Sequence, residues 1–491
     1  MTNGWATTRT RRLLSCLVLL GLSLTAHASS PADPDTEQSR VRGYRRPPPA
    51  VEALLTAPRA PELALSPRAD GLILARRERF TPLEALARPM LRVGARDVDR
   101  LSGAPRRLRY DQLLLVDLST FTHRELDLPP GLRADLPSWS PLGERFAFYA
   151  PTASGVQLWI GSLAQGRAAP LPGIRLNAAL GRPCSWMPDG VRLVCRLRVP
   201  ATTAVDRDAG AGSGQGPSVM DSTRLTAGAQ LAAPWMRGRA AANAGRALSL
   251  SQLALVDARS GEVQPLGGAE VIRDVQPSPD GRFLLVRRAS ATAVGLAGLA
   301  LSDEHVEIWR LSGERLAGIA IDDRVVVGER SEGSSVWRER RNFSWVEALD
   351  QGPGPALVFG ELDSARLAAS TTVPLDGARR MAADGERLML WPAPFRNPPR
   401  VLFEADGRIT RIDRIAGRRS LYLQEYQPNA RRKRAVLLTP SDTSKPSTAV
   451  DAEARTLWTA PAGVASAAQG RPLGRHLPAS DAPLAQHANG I

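Results

Sequence analysis

Residues 184–197 read CSWMPDGVRLVCRL: a short apolar run, a Met-Pro-Asp-Gly turn, then a strand of alternating residues. Each turn residue has a job. Proline presets φ, aspartate bonds its own backbone, and glycine accepts the left-handed conformation that closes the hairpin. The pattern returns as PSWSPLGERFAFYA at 137–150 and QPSPDGRFLLVRR at 276–288, with weaker copies SPRADGLILA at 66–75 and ADGERLMLW at 383–391. Gly143 and Gly190 are 47 residues apart, and Gly190 and Gly281 are 91 apart, close to twice that spacing. A period of that length filled with short strands indicates a β-propeller. The expected fold is therefore all-β, a single β-propeller of about seven four-stranded blades.

The outer strands are also legible. DQLLLVDLST (111–120), GVQLWIGSLAQGRAAPL (155–171), SQLALVDARSGEVQPL (251–266) and HVEIWRLSGERLAG (305–318) each show an alternating strand, a turn with Gly or small polar residues, and a second short strand. Their Trp, Val, Ile and Leu positions are expected to pack between blades.

Outward from the repeats, the N-terminus indicates export. Arg9, Arg11 and Arg12 precede an apolar core from Leu13 to Leu24, and Ala26-His27-Ala28 has the form of a cleavage site. Residues 1–28 read as a signal peptide cut near Ala28, which places the mature chain in the periplasm or outside the cell. The apolar core is too strong for a twin-arginine signal at Arg11-Arg12, and Cys16 lies too early in it for a lipidated cysteine. No other apolar stretch reaches the roughly 18 residues of a membrane span, so no stable membrane insertion is expected. Residues 29–58, with Tyr44-Arg45-Arg46-Pro47-Pro48-Pro49, read as an extended lead-in, 59–441 as the propeller, and the Ala/Ser/Pro-rich 442–491 as a disordered tail.

The net charge of +15 and pI near 10.9 raise the question of nucleic acid. All of the Lys and Arg residues except Lys433 and Lys445 are arginine, and they are scattered singly. No basic stripe with interleaved aromatics appears, so solvated strand faces are expected and a nucleic-acid partner is not. The dense run Arg431-Arg432-Lys433-Arg434 reads as a solvated turn.

Cys184 and Cys195 flank the Met187–Gly190 turn. Folding the hairpin brings them near each other in a diagonal register, which leaves open a disulfide or two buried thiols. No metal-ligand spacing such as C-x-x-C occurs, and no metal or cofactor is expected.

Catalytic motifs are not found. A nucleophile elbow needs G-x-S-x-G, and Ser213 has Ala211 and Gln215 at the flanking positions. His27 falls in the signal peptide, His476 and His487 in the tail, and His123 and His305 at strand ends, where solvated side chains are the ordinary case. Asp189, Asp280 and Asp384 read as turn residues. No catalytic residue is assigned.

The ordered set PSWSPLGERFAF, VQLWIGSLAQG, LNAALGRPCSWMPDG, GPSV (216–219), SQLALVDARSGEVQPLG, SPDGRFLLV, WVEALDQG (345–352) and PAPFRNPP (392–399) resembles the N-terminal propeller of the prolyl oligopeptidase family of serine peptidases, in the bacterial branch similar to plant chloroplast glutamyl endopeptidase. YRRPPPAVEALL and ARPMLRVGA (87–95) extend the resemblance, which covers about residues 42–440. Leu142 departs from it, standing where an aspartate is usual. So do 220–250, which lack a Tyr- and Asp-rich segment, and 289–304, which lack the expected aromatics and prolines. In the family a hydrolase domain carrying serine, aspartate and histidine follows the propeller. Here 442–491 offers no counterpart to carry over. The resemblance implies a gating or docking propeller that binds a peptide or protein partner, a hydrolase domain among the candidates. Two other readings stand beside it: the propeller part of a peptidase whose hydrolase domain is truncated or on another chain, and an envelope propeller like that of the Tol system.

Overall fold

The computed structural model describes residues 46–88, 90–93, 96–107, 109–153, 155–199, 239–289, 294–295, 298–299, 304–327, 334–347, 354–363, 385–415, 420–427, 430–440 and 452–461. The chain forms two compact units, residues 1–58 and 59–491. In the first, helix α1 (Pro49–Thr56) corrects the expected extended lead-in. Pro49 suits the first helical turn, where its missing N–H leaves no bond unmade, and Ala, Glu and Leu follow as good helix formers. Arg46 pairs with Glu52 at 2.9 Å on its exposed surface.

The second unit is a succession of antiparallel meanders. The first comprises Glu62–Leu65, Gly71–Arg77, Tyr110–Asp117 and Thr122–Glu125. The second comprises Ser138–Trp139, Arg145–Thr152, Gly155–Ser162 and Arg167–Leu176. The third runs through Cys184–Trp186, Arg192–Arg198 and Leu250–Asp257 into Val263–Pro277. That long strand serves two meanders, because its N-terminal part pairs with Leu250–Asp257 and its C-terminal part with Phe283–Ala289. Glu304–Arg310 and Arg315–Ala320 complete the fourth. The fifth holds Ser334–Val346, Ala356–Asp363, Glu386–Pro392 and Arg400–Ala405, with Asp322–Val327 added at its edge. The sixth holds Arg408–Arg414, Leu421–Gln427, Arg432–Pro440 and Ala452–Pro461. Six meanders are thus traced among the described residues, where about seven blades were expected.

Strand periodicity explains how they pack. Successive side chains leave a strand on opposite faces. In Arg192–Arg198, Leu193 and Cys195 enter a core with Leu158, Val156 and Tyr149 of the second meander. Val194, between them, enters a different core with Leu284, Val286 and Trp309 of the fourth. Phe146 and Phe148 join Ile73 and Leu113 of the first meander, whereas Ala147 and Tyr149 join the third. Phe283 and Leu285 likewise meet Trp345, Leu357 and Phe359 of the fifth. The fifth meets the sixth through Leu388, Leu390, Ile409, Leu423 and Val436. Each inner meander therefore buries both faces against its neighbours, which removes more apolar area from water than a half-solvated sheet can.

Two recurring details fix this stacking. Tryptophan indoles on first strands donate to the first strand of the preceding meander: Trp139 to the Ala64 carbonyl at 2.8 Å, Trp186 to Ser138 at 3.1 Å and Trp345 to Gln276 at 3.1 Å. The turns also touch in sequence. Gly190 has φ +66°, and a Cβ there would lie 2.7 Å from Leu142 of the previous turn. Glycine is required both for the left-handed backbone and for that approach. In the first copy the left-handed residue is Ala69, φ 56°, so Gly71 is not the equivalent of the other turn glycines.

Three further expectations are corrected. ADGERLMLW does not open a meander, since Glu386–Pro392 is the third strand of the fifth and residues 347–355 join that meander's first two strands. Ala452–Pro461, inside the expected tail, pairs along Arg432–Pro440, its Thr456, Trp458 and Thr459 being strand-forming residues. Cys184 and Cys195 are directly opposed rather than diagonal, because Trp186 pairs with Leu193 at the turn.

Candidate functional site

At the end of each meander away from its first turn, the first strand begins and the second strand ends. In the second, third and fourth meanders the residues there are Asp135 and Tyr149, Arg182 and Arg196, and Arg273 and Arg287. Each pair lies eight residues before and six residues after the turn glycine, Gly143, Gly190 or Gly281. Backbone bonds hold this end closed: Asp135 N–H donates to the Tyr149 carbonyl at 2.9 Å, and Arg196 N–H to Pro183 at 2.8 Å.

An insertion covers it. Between the second and third strands of the first meander run helix α2 (Leu83–Ala87) and a hairpin, Met90–Val93 with Arg96–Asp99. Helix α3 (Arg239–Ser249) precedes the third strand of the third meander. Leu91, Val93 and Val98 of the hairpin and Ala244 and Leu248 of α3 share one core with Ala179, Leu180, Val271 and Ala289. Asn177 ties the helix down, its Nδ2 donating to the Leu248 and Leu250 carbonyls at 2.8 and 2.7 Å. The hairpin thereby presents Arg96 to Gly181: Nη2 of Arg96 and Nη2 of Arg196 both lie 3.7 Å from the point where a Gly181 Cβ would sit.

The charge balance differs along the row. In the fourth meander Arg273 and Arg287 share the buried carboxylate of Glu304. In the fifth, Arg340 pairs with Glu361 at 2.9 Å and Arg341 with Glu386 at 2.6 Å. In the sixth, Arg434 pairs with buried Glu425 at 3.2 Å. Arg196 of the third is 2% exposed and donates only to main-chain carbonyls: Ile272 at 2.8 Å, Arg273 at 2.9 Å and Arg182 at 2.6 Å. No carboxylate among the described residues pairs with it. Burial, reinforced by the like charges of Arg96 and Arg273, lowers the Arg196 guanidinium to about 10, with Asp274 and Tyr149 opposing. Arg273 is lowered by burial and then by Arg287 and Arg96. Tyr149 is pushed up to about 12 by burial and then by Asp135, which is itself paired with Arg107.

The residues singled out from sequence lie elsewhere. Cys184 and Cys195 are bonded, S–S 2.16 Å, within the core between the second and third meanders. Asp189 accepts from the Val191 and Arg192 N–H groups, both at 2.9 Å, and Asp280 from Arg282 N–H at 3.1 Å, as turn residues do. His123 is on the exposed fourth strand of the first meander and His305 on the third strand of the fourth. Asp384, Ser213, His27, His476 and His487 lie outside the described residues. Among the described residues no group of three or more His, Cys, Asp or Glu could hold a metal ion.

No protein-family model matches the chain. It is similar to the probable chloroplastic glutamyl endopeptidase of Oryza sativa subsp. japonica, 25% identical over 339 residues, which is 64% of this chain and 36% of the relative. The Arabidopsis thaliana protein of the same description is 24% identical over 353 residues, 66% of this chain and 36% of the relative. The chain thus spans about a third of the length of the curated relatives it matches. Among solved structures, a prolyl endopeptidase aligns with TM-score 0.40 and 12% identity over 81% of this chain and 43% of that one. Dipeptidyl peptidase 4 of Porphyromonas gingivalis aligns with TM-score 0.40 and 9% identity over 85% and 56%.

Proposed function

We propose that the meanders are the blades of a single propeller, and that the chain is an exported, non-catalytic docking or gating module of the prolyl oligopeptidase type. One observation carries the architecture: alternate residues of one strand feed the cores shared with the preceding and following meanders. That arrangement suits blades stacked around an axis. The peptidase relationship is supported by the similarity to the two plant proteins named glutamyl endopeptidase. Residues 1–28 are the export signal in this reading, and the blade ends receive a peptide or protein partner.

A second reading has its own support. The relatives extend well beyond the matched part, so the chain also fits the propeller portion of a serine peptidase whose hydrolase domain is truncated or on another chain.

Acyl transfer needs an activated nucleophile and an oxyanion hole. Peptides with Glu or Pro before the scissile bond, offered to the chain purified to homogeneity, should not be turned over. Turnover abolished by substituting one serine would overturn the non-catalytic reading.

A further inference from the structure

We propose that Arg96 and Arg196, whose guanidinium groups meet beside Gly181, form a binding site for an oxyanion-bearing ligand, a carboxylate or phosphate group held by guanidinium forks. Three observations converge on it. Arg196 is buried with only carbonyl partners, in contrast to Arg273, Arg287, Arg340, Arg341 and Arg434, each of which meets a buried glutamate. A buried charge ordinarily needs a counter-charge, and among the described residues Asp274 acts on Arg196 through its charge while no carboxylate pairs with it directly. Arg96 is exposed, makes no hydrogen bond or ion pair among the described residues, and directs Nη2 to the same point as Arg196.

The glycine is the third element. Gly181 has φ +141°, and the nearest atoms to its missing side chain, chain neighbours aside, are the two guanidinium nitrogens at 3.7 Å and the Arg273 carbonyl oxygen at 4.0 Å. Glycine at 181 thus brings no side chain of its own against the two guanidinium groups. An oxygen seated against the open face of the glycine, within hydrogen-bond reach of both nitrogens, would accept from both, in the charge-assisted geometry that arginine favours. Arg273 and Arg287 share the single carboxylate of Glu304, which leaves one positive charge in excess, and Asp274 offsets part of the charge around Arg196. A ligand with one or two negative oxygens fits this balance. The inference goes beyond docking of a hydrolase and does not depend on it, since a small anion suffices.

The test is calorimetric titration of the full mature chain with three probes at constant ionic strength: inorganic phosphate, citrate and a tetraglutamate peptide. Saturable binding of at least one probe is expected, with Kd weakened at least about tenfold in Arg96→Ala and binding lost in Arg96→Glu. Because Arg96 is exposed, both variants should keep the wild-type melting profile without ligand. Arg310→Ala, at an exposed turn, should leave Kd unchanged. Binding of phosphate or citrate alone identifies a free small anion. Tighter binding of the peptide identifies a carboxylate carried on a polypeptide. No saturable binding of any probe, or equal binding by Arg96→Glu, overturns the proposal.

Discussion

The indole N–H of Trp186 donates to the Ser138 carbonyl, 3.1 Å away, from the first strand of one meander to the first strand of the meander before it. Sheet ladders bind strands within a meander. This bond crosses between two stacked faces and fixes their distance and register. Trp139 and Trp345 make the same connection to Ala64 and Gln276.

Trp186→Phe should therefore cost about 1–3 kcal/mol, because it keeps most of the ring burial but strips Ser138 of its donor. Trp159 supplies the control: its Nε1 is buried with no hydrogen-bond partner. Trp159→Phe should cost clearly less. Urea unfolding midpoints decide between them, and equal losses would show that the indole bonds contribute nothing specific.

Gly161→Ala should be more damaging than its chemistry suggests. A Cβ there would stand 2.1 to 2.8 Å from three atoms of the Phe146 ring. That ring is 0% exposed in the core between the first and second meanders. Overpacking of this kind costs about 1–3 kcal/mol. Gly155→Ala, with nothing within 4 Å, should be tolerated. Thermal melts of the two variants check the contrast.

Export should leave no alkylatable thiol at Cys184 or Cys195, as mass spectrometry of the non-reduced protein can show. Their sequence separation of 11 closes a short loop, so replacing both by alanine should cost about 2–3 kcal/mol. Two free thiols in the folded, exported protein would contradict the bridge.

Alkaline pH should act through Tyr149. Burial and Asp135 raise its phenol from 10.0 to about 12 in the folded chain. Below pH 10 both states keep the proton and the contribution to stability is complete. Between pH 10 and about 12 the unfolded chain loses the proton while the folded chain retains it, so that contribution is lost as pH rises. The stability difference between wild type and Tyr149→Phe should be constant below pH 10 and fall above it. A flat difference across that window would refute the assignment.

Much of the fold was legible because local chemistry and global packing agree. Met187-Pro188-Asp189-Gly190 closes its hairpin through the Gly190 N–H to Met187 bond, as the turn chemistry requires. Alternation in Arg192–Arg198 marked a strand with both faces buried. Other features were hidden by phase. Ala69, not Gly71, takes the left-handed position in the first copy, and Glu386–Pro392 looks like a second strand but is a third. The arginine site was least visible. Arg96, Arg182, Arg196 and Arg273 are far apart along the chain and read as scattered surface charges. Only the recurrence of Asp135, Arg182 and Arg273 eight residues before successive turn glycines hinted that they share one end. Arg96 comes from an insertion that no repeat could place.

Limited proteolysis tests most directly whether the stacked meanders are blades of one propeller. Blades that bury both faces only against their neighbours cannot unfold independently. Digestion should leave one resistant core, beginning near residue 59 and ending near residue 461, that elutes as a single species and melts in one transition. Two separately stable cores with two transitions would contradict the single propeller.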